Sequence, residues 1–179
     1  MLRYLSFLAL AATVFACDKY PNGTASAMHW FSCGAGDQVQ ASDITVTDDA
    51  GNTDYPLNVK NDLQIHISQT NSGSQIDSVY VDVGLASWSD GGFMGCKWVN
   101  IPTFGLTNNL DACKVGGPSA CPIKSGATTN TIKMDLSQFG PIVNLLTEGK
   151  AYQIQIKMKN GNNGPEVGCA VIQGQITKK

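Results

Sequence analysis

The chain is poor in the residue types that most chemistry needs. Only 2 of its 179 residues are His and only 15% are charged. That charged fraction lies below the roughly 25% of an average soluble domain, which argues against disorder driven by charge. Twelve Lys and Arg against fourteen Asp and Glu leave a net charge of −2. The lysines are spread singly, so there is no basic stripe of the kind that tracks phosphates, and nucleic acid is excluded as a partner. There is no Cys-x-x-Cys pair, which argues against a thiol redox motif and a zinc knuckle. There is no Gly-x-Ser-x-Gly elbow to present a nucleophile. No apolar run reaches the roughly 20 residues of a membrane-spanning helix. His29 and His66 both fall on segments that alternate like strands, where a hydrogen-bonded or exposed imidazole is the ordinary outcome. Asp48, Asp49 and Asp54 sit in turn-rich sequence, where such side chains bond their own backbone. The acidic twelfth residue that would make the Asp48 region a calcium loop is missing. The chain is therefore read as a non-enzyme with no cofactor and no metal.

What the sequence does contain points to export. Arg3 precedes the apolar run 5–12, and Val14-Phe15-Ala16 ends in a small residue, which together read as a secretory signal over residues 1–16. Cleavage after Ala16 leaves 163 residues (179 − 16) beginning at Cys17. The destination is then extracellular or a lysosome-like lumen. Six cysteines (Cys17, Cys33, Cys96, Cys113, Cys121 and Cys169) in such a compartment imply disulfides, although six allow fifteen pairings. Cys113 and Cys121 bracket a Gly-Gly-Pro-Ser turn and could close a tight loop. Asn22-Gly23-Thr24 is a glycosylation sequon.

Hydrophobic periodicity is close to two along most of the rest. Tyr152, Ile154, Ile156 and Met158 alternate with Gln153, Gln155, Lys157 and Lys159. Leu63, Ile65 and Ile67 alternate with Gln64, His66 and Ser68. Val79, Val81, Val83 and Leu85 alternate with Tyr80, Asp82 and Gly84, and Ile132, Met134 and Leu136 with Lys133 and Asp135. Shorter candidates lie at Ile44 and Val46, at Met28 to Cys33, and at Val167 to Ile176. Successive strand side chains point to opposite faces, so each segment offers one apolar and one wet face. About seven such strands, separated by turns rich in Gly, Asn and Asp, predict an all-β fold of two antiparallel sheets packed face to face. Phe139, Ile142, Val143 and Leu146 have helical spacing, but Gly140-Pro141 reads as a barrier to a long helix, giving a short irregular edge element. An immunoglobulin domain proper would place a Trp a dozen or so residues after its first core cysteine; after Cys33 the next Trp is Trp88.

The cysteine-bearing segments carry a resemblance. The stretch 111–126, with Cys113, Cys121, Pro122 and Ile123, resembles the Cys-x(n)-Cys-Pro-Ile hairpin of the ML lipid-recognition family. That family includes the small Niemann–Pick type C sterol-transfer protein, the ganglioside activator and house-dust-mite allergens. Trp30-Phe31-Ser32-Cys33-Gly34 resembles its first strand, Gly149-Lys150-Ala151-Tyr152 leads into a segment like its penultimate strand, and Val167-Gly168-Cys169-Ala170-Val171-Ile172 is similar to its last. The match covers residues 28–177, with 17–27 left as an N-terminal extension. It implies Cys33 paired with Cys169 and Cys113 with Cys121. The family's early small cysteine loop is missing, so Cys17 and Cys96 either pair with each other or leave Cys96 free once Cys17 is trimmed.

From the residues alone the apolar faces could interdigitate into a solid core, as in a secreted protein-interaction module of innate-immunity or adhesion type. The resemblance implies instead an immunoglobulin-like sandwich with an apolar cavity between its sheets. Such a cavity would take a sterol, glycolipid or phospholipid without chemistry, in a monomer that makes transient contact with membranes or membrane proteins. On that reading the wall comes from Leu63, Ile65, Ile67, Val79, Val81, Val83, Ile132, Met134, Ile154, Ile156 and Met158. The mouth then lies near Phe104, Val115, Pro122, Ile123, Phe139, Val143 and Leu146.

Overall fold

The computed structural model describes residues 18–34, 36–90, 95–117 and 119–179. Within them the alternating segments form β1 (His29–Ser32), β2 (Val39–Asp48), β3 (Leu57–Asn58), β4 (Leu63–Asn71), β5 (Val79–Asp90), β6 (Cys96–Asn100), β7 (Leu110–Asp111), β8 (Gly126–Met134), β9 (Ala151–Asn160) and β10 (Glu166–Thr177). Two sheets result. The larger runs β1-β10-β9-β5-β6, with β3 added beside β10 and β7 beside β5; the smaller runs β2-β4-β8. The pairings are antiparallel except that between β3 and β10. The two sheets expected from periodicity are present, and the fold is a β-sandwich. The short strands β3, β6 and β7 were not legible as alternation.

Register puts the apolar positions together. Ile65 pairs with both Val46 and Ile132 across the small sheet, and Ile156 pairs with both Val83 and Ala170 across the large one. A one-residue slip would turn every one of these side chains to the wet face, so burial fixes the pairing. The hairpin joining β9 to β10 turns where Gly161 and Asn163 take positive φ (82° and 52°), a conformation Gly and Asn adopt at little cost. Asp48 bonds the backbone N–H of Ala50 and Asn52 at 2.9 and 2.8 Å. These bonds, with one from the Asn52 side chain, hold its carboxyl below its ordinary pKa.

The segment with helical spacing is short, as expected, and is helical: Pro141 stands in the first turn of α2 (Gly140–Leu145), after a 3-10 turn over Leu136–Phe139 where the alternation had continued the strand to Leu136. A first-turn proline loses no intrahelical bond, because that N–H has no partner anyway. The other short helix, α1 (Ala112–Val115), is capped by the Asp111 carboxylate, which accepts from Cys113 N at 3.1 Å.

The N-terminal segment is packed against the body of the fold. Residues 18–27 cross the outer face of the large sheet. Trp88 Nε1 donates to Asp18 O at 2.6 Å, Asn22 Nδ2 to Gln173 Oε1 at 2.7 Å, and Gln175 Nε2 to Thr24 O at 2.8 Å. Tyr55 donates from its hydroxyl to the same Thr24 oxygen at 2.6 Å. This strap explains why Gln173 and Gln175 are buried on a face that alternation marks as wet. Each finds a partner, as buried amides must. The signal expected over 1–16 lies outside the described residues, as does Cys17.

Disulfides join Cys33 to Cys169 and Cys113 to Cys121, with sequence separations of 136 and 8. Cys96 is also disulfide-bonded, which removes the alternative of a free Cys96 thiol.

Candidate functional site: an apolar cavity between the sheets

One end of the sandwich is closed by close packing. Val39, Ile76, Val79, Ala112, Ile123 and Val167 form a buried cluster there, with Val81, Cys121 and Met158 against it. Ile76 and Ile123 exchange backbone hydrogen bonds at 3.0 and 2.9 Å, pinning the Cys113–Cys121 hairpin across the end. Gly168 lets β2 approach: a Cβ there would sit 2.8 Å from Val39 O.

Beyond that plug the sheets enclose a cavity of about 210 Å³. The small sheet contributes Val46, Leu63, Ile65, Ile132 and Met134. The large sheet contributes Val81, Val83, Leu85, Tyr152, Ile154, Ile156, Ile172 and Ile176. Val115 and Ala112 of α1 bound one end, and Phe139, Ile142, Val143 and Leu146 bound the other. Leu57, Val59, Leu110 and Leu136 fill the corners. No ionisable carboxylate, ammonium or imidazole lines it. Its hydroxyls are turned to the protein. Tyr152 OH accepts from Thr147 N at 2.6 Å, and Thr107 Oγ1 bonds Val83 O at 2.7 Å and Thr103 Oγ1 at 2.9 Å.

Of the residues expected around a pocket, Leu63, Ile65, Val81, Val83, Val115, Ile132, Met134, Phe139, Val143, Leu146, Ile154 and Ile156 line this cavity. Six others do not. Val79, Ile123 and Met158 belong to the plug, which their strands reach past the cavity's end. Ile67 packs with Ile44 and its neighbours in the core of the small sheet. Pro122 lies beside the disulfide hairpin, outside the lining. Phe104 is 84% exposed at the tip of the loop 101–109, where it takes a positive φ of 52°. Wall residues not anticipated include Leu85, Tyr152 and Val46, which the alternation had already placed on apolar faces. Thr103 and Thr107 carried no sequence signal.

The two histidines stand apart, on β4 and β1. His66 lies between Thr47 Oγ1 (3.1 Å) and Thr131 Oγ1 (2.9 Å), and His29 packs against Phe31 with ring centroids 5.9 Å apart. Among the described residues no group of His, Cys, Asp and Glu could hold a metal, and no helix is long and apolar enough to cross a membrane.

With two sheets, a terminal-strand disulfide and an interior apolar cavity in view, the family comparison is decisive: the ML-domain model matches residues 27–176. The chain belongs to the ML-domain family. It is thus a lipid-binding domain by family. No curated protein matches the chain. Among solved structures it is similar to a Niemann-Pick type C2 protein from Japanese carpenter ant, at 14% identity and a TM-score of 0.48 over 83% of this chain and 99% of that one. It is also similar to the C-terminal domain of wzt, at 10% identity and a TM-score of 0.42 over 90% and 82% of the two chains. At these values the two structures add no functional argument. The ML match starts at residue 27, so most of the strap lies outside the family's common core.

Proposed function

We propose that this ML domain sequesters one lipid molecule, a sterol or the tail of a glycolipid or phospholipid, in the cavity between its sheets. It carries out no covalent step, and it acts as a monomer outside the cell or in a lysosome-like lumen. The observation that carries this reading is the unfilled apolar volume. An empty cavity of about 210 Å³, at about 24 cal/mol per Å³, costs about 5 kcal/mol of packing. That is comparable with the entire stability of many domains, about 5–15 kcal/mol. A solid-core protein-interaction module would have no reason to keep such a hole.

Bound lipid reverses the cost. Each square ångström of its apolar surface taken from water contributes about 25 cal/mol, and binding to the folded state alone raises stability by mass action. Entry is assigned to the end carrying α2 and the loop 101–109. There Leu145, Phe104 and Leu106 are exposed beside cavity-lining Val143 and Thr103. Exposed apolar side chains at a mouth suit transient contact with a membrane that donates or receives the ligand. Disulfides and the signal-like residues 1–16 support export, and Asn22, exposed on the strap, is the residue assigned to carry a glycan.

Native mass spectrometry of protein secreted from a eukaryotic host, followed by organic extraction, tests the proposal. The expected result is a stoichiometric lipid adduct that extraction identifies. A bare polypeptide mass that stays unchanged after incubation with sterols and phospholipids would overturn it.

A further inference from the structure

The outer face of the large sheet carries a second concavity, separated from the lipid cavity by β5 and β9. It measures about 510 Å³, within the roughly 300–1,000 Å³ of small-ligand sites. Its floor is Gly84, and its walls include Asp82, Asn100, Asn109, Gln155 and Lys159.

Gly84 is the unusual element. It stands in mid-strand, among Val81, Asp82, Val83, Leu85 and Ala86, where glycine weakens a strand and offers nothing to pack. Strand glycines mark a bulge, a bend, or a place where something must come close to the backbone. Here the β5–β9 register runs without a shift from Val79 to Ser87. An added Cβ would meet nothing nearer than Gln155 Cβ at 3.8 Å. Neither a bulge nor crowding within the chain accounts for the glycine, which leaves close approach by a ligand.

The walls indicate the ligand's chemistry. Lys159 is paired with Asp82, and Lys157 with Glu166 at 3.3 Å, so the cations are already matched and no Arg fork is available for a phosphate. Fixed amides supply the remaining polarity. Asn109 Nδ2 donates to Asn162 Oδ1 at 2.6 Å, and Asn163 N donates to Asn109 Oδ1 at 3.0 Å, locking the loop 101–109 to the β9–β10 turn. Asn100 and Asn108 remain exposed on the rim. Each amide offers both donors and an acceptor, the complement of a hydroxyl that does both.

We propose that this outer cleft binds a saccharide chain, independently of the lipid cavity behind it. The glycan could be free, protein-linked or the headgroup of a glycolipid; the shared chemistry is a run of hydroxyl-bearing rings seated over Gly84.

The test is a glycan array probed with the full-length secreted protein, with hits titrated as free oligosaccharides by calorimetry and as glycolipid in phosphatidylcholine vesicles. Gly84→Phe fills the floor and points away from the lipid cavity. It is expected to weaken saccharide binding at least tenfold while stoichiometric lipid uptake by native mass spectrometry stays unchanged. Asn100→Ala, on the exposed edge of β6, provides the same readout should Gly84→Phe fail to fold. A blank array, or equal affinity in wild type and variants, would overturn the proposal and leave lipid sequestration untouched. Loss of lipid uptake in wild type with saccharide binding intact would instead overturn the lipid reading alone.

Discussion

At the end of the sandwich pinned by the Cys113–Cys121 hairpin, Val39, Ile76 and Val79 are only 1–2% exposed and interdigitate. Toward α2, strands of the same composition and periodicity stand apart around an empty volume of about 210 Å³. The strand residues do not separate the two regions, since Val79, Val81 and Met158 at the plug and Val83, Leu85 and Ile156 at the cavity are alternate positions of the same strands β5 and β9. What differs is what holds the sheets at each end. Gly168 admits Val39 at backbone contact, and the Ile76–Ile123 bridge joins hairpin to core. At the other end the loop 101–109 and the short helix α2 contribute Thr103, Thr107, Ile142 and Val143 to the cavity's lining. Packing density in this fold is therefore decided by the connections, while the strands supply interchangeable apolar faces.

The largest expected effect tests the covalent frame common to both ends. Removing the Cys33–Cys169 bridge (Cys33→Ala with Cys169→Ala), whose separation is 136 residues, is expected to cost about 5 kcal/mol in the chain-entropy model. Removing Cys113–Cys121, with a separation of 8, should cost about half as much, roughly 2.5 kcal/mol. Urea titrations under non-reducing conditions measure both, and equal losses would contradict an entropic origin.

Truncation separates the two ends next. Ile76→Ala in the plug should cost about 4 kcal/mol, because it opens a new void. Ile156→Ala on the cavity wall should cost about 2 kcal/mol, since that side chain already lacks partners on one side. The same titrations, run on delipidated protein, decide it. Overfilling reverses the sign. Val83→Phe adds a ring to existing space and should stabilise delipidated protein by about 0.5–2 kcal/mol while blocking lipid uptake. Val79→Phe, in the plug, should destabilise by about 1–3 kcal/mol. Should both behave alike, the distinction between a packed and a hollow end would fail.

The smallest effect is electrostatic and belongs to neither end. A hydrogen bond from Lys159, with one from Asn109 N, lowers the Asp82 pKa below its ordinary 3.8. A carboxylate with a depressed folded pKa contributes stability that is complete above the unfolded pKa and fades as pH falls through the folded one. Stability should therefore lose a small increment as pH drops below about 4, and Asp82→Asn should remove that part of the slope. Thermal melts from pH 6 to pH 2.5 would show it.

Much of this was legible in the sequence. Period-two alternation located β4, β5 and β9 to within a few residues, because burial on one face imposes that pattern directly. It caught only the middle of β2 and the end of β8, whose first halves are mostly polar. The family resemblance supplied the two disulfide pairings. The alternation could not say how far each apolar face runs beside the cavity before it enters the plug. Val79 and Met158, at strand ends, were thus expected on the wall and lie beyond it. The resemblance put Phe104 near the mouth; it stands 84% exposed on the loop 101–109, beside the lining and not within it. Thr103 and Thr107 line the cavity through loop geometry that leaves no periodic trace. The strap was invisible for another reason: its contacts to Trp88, Gln173 and Gln175 are hydrogen bonds between residues far apart in sequence.

The Cys33–Cys169 bond also has a mechanical meaning. It closes residues 33–169 into one covalent loop, so force applied to the two chain ends can unzip β1 and the end of β10 but then passes through the disulfide and spares the strands between. A protease that cuts any loop between those cysteines leaves the two pieces attached. The apolar cavity is thus bounded by a chain that can be nicked between those cysteines without its pieces separating.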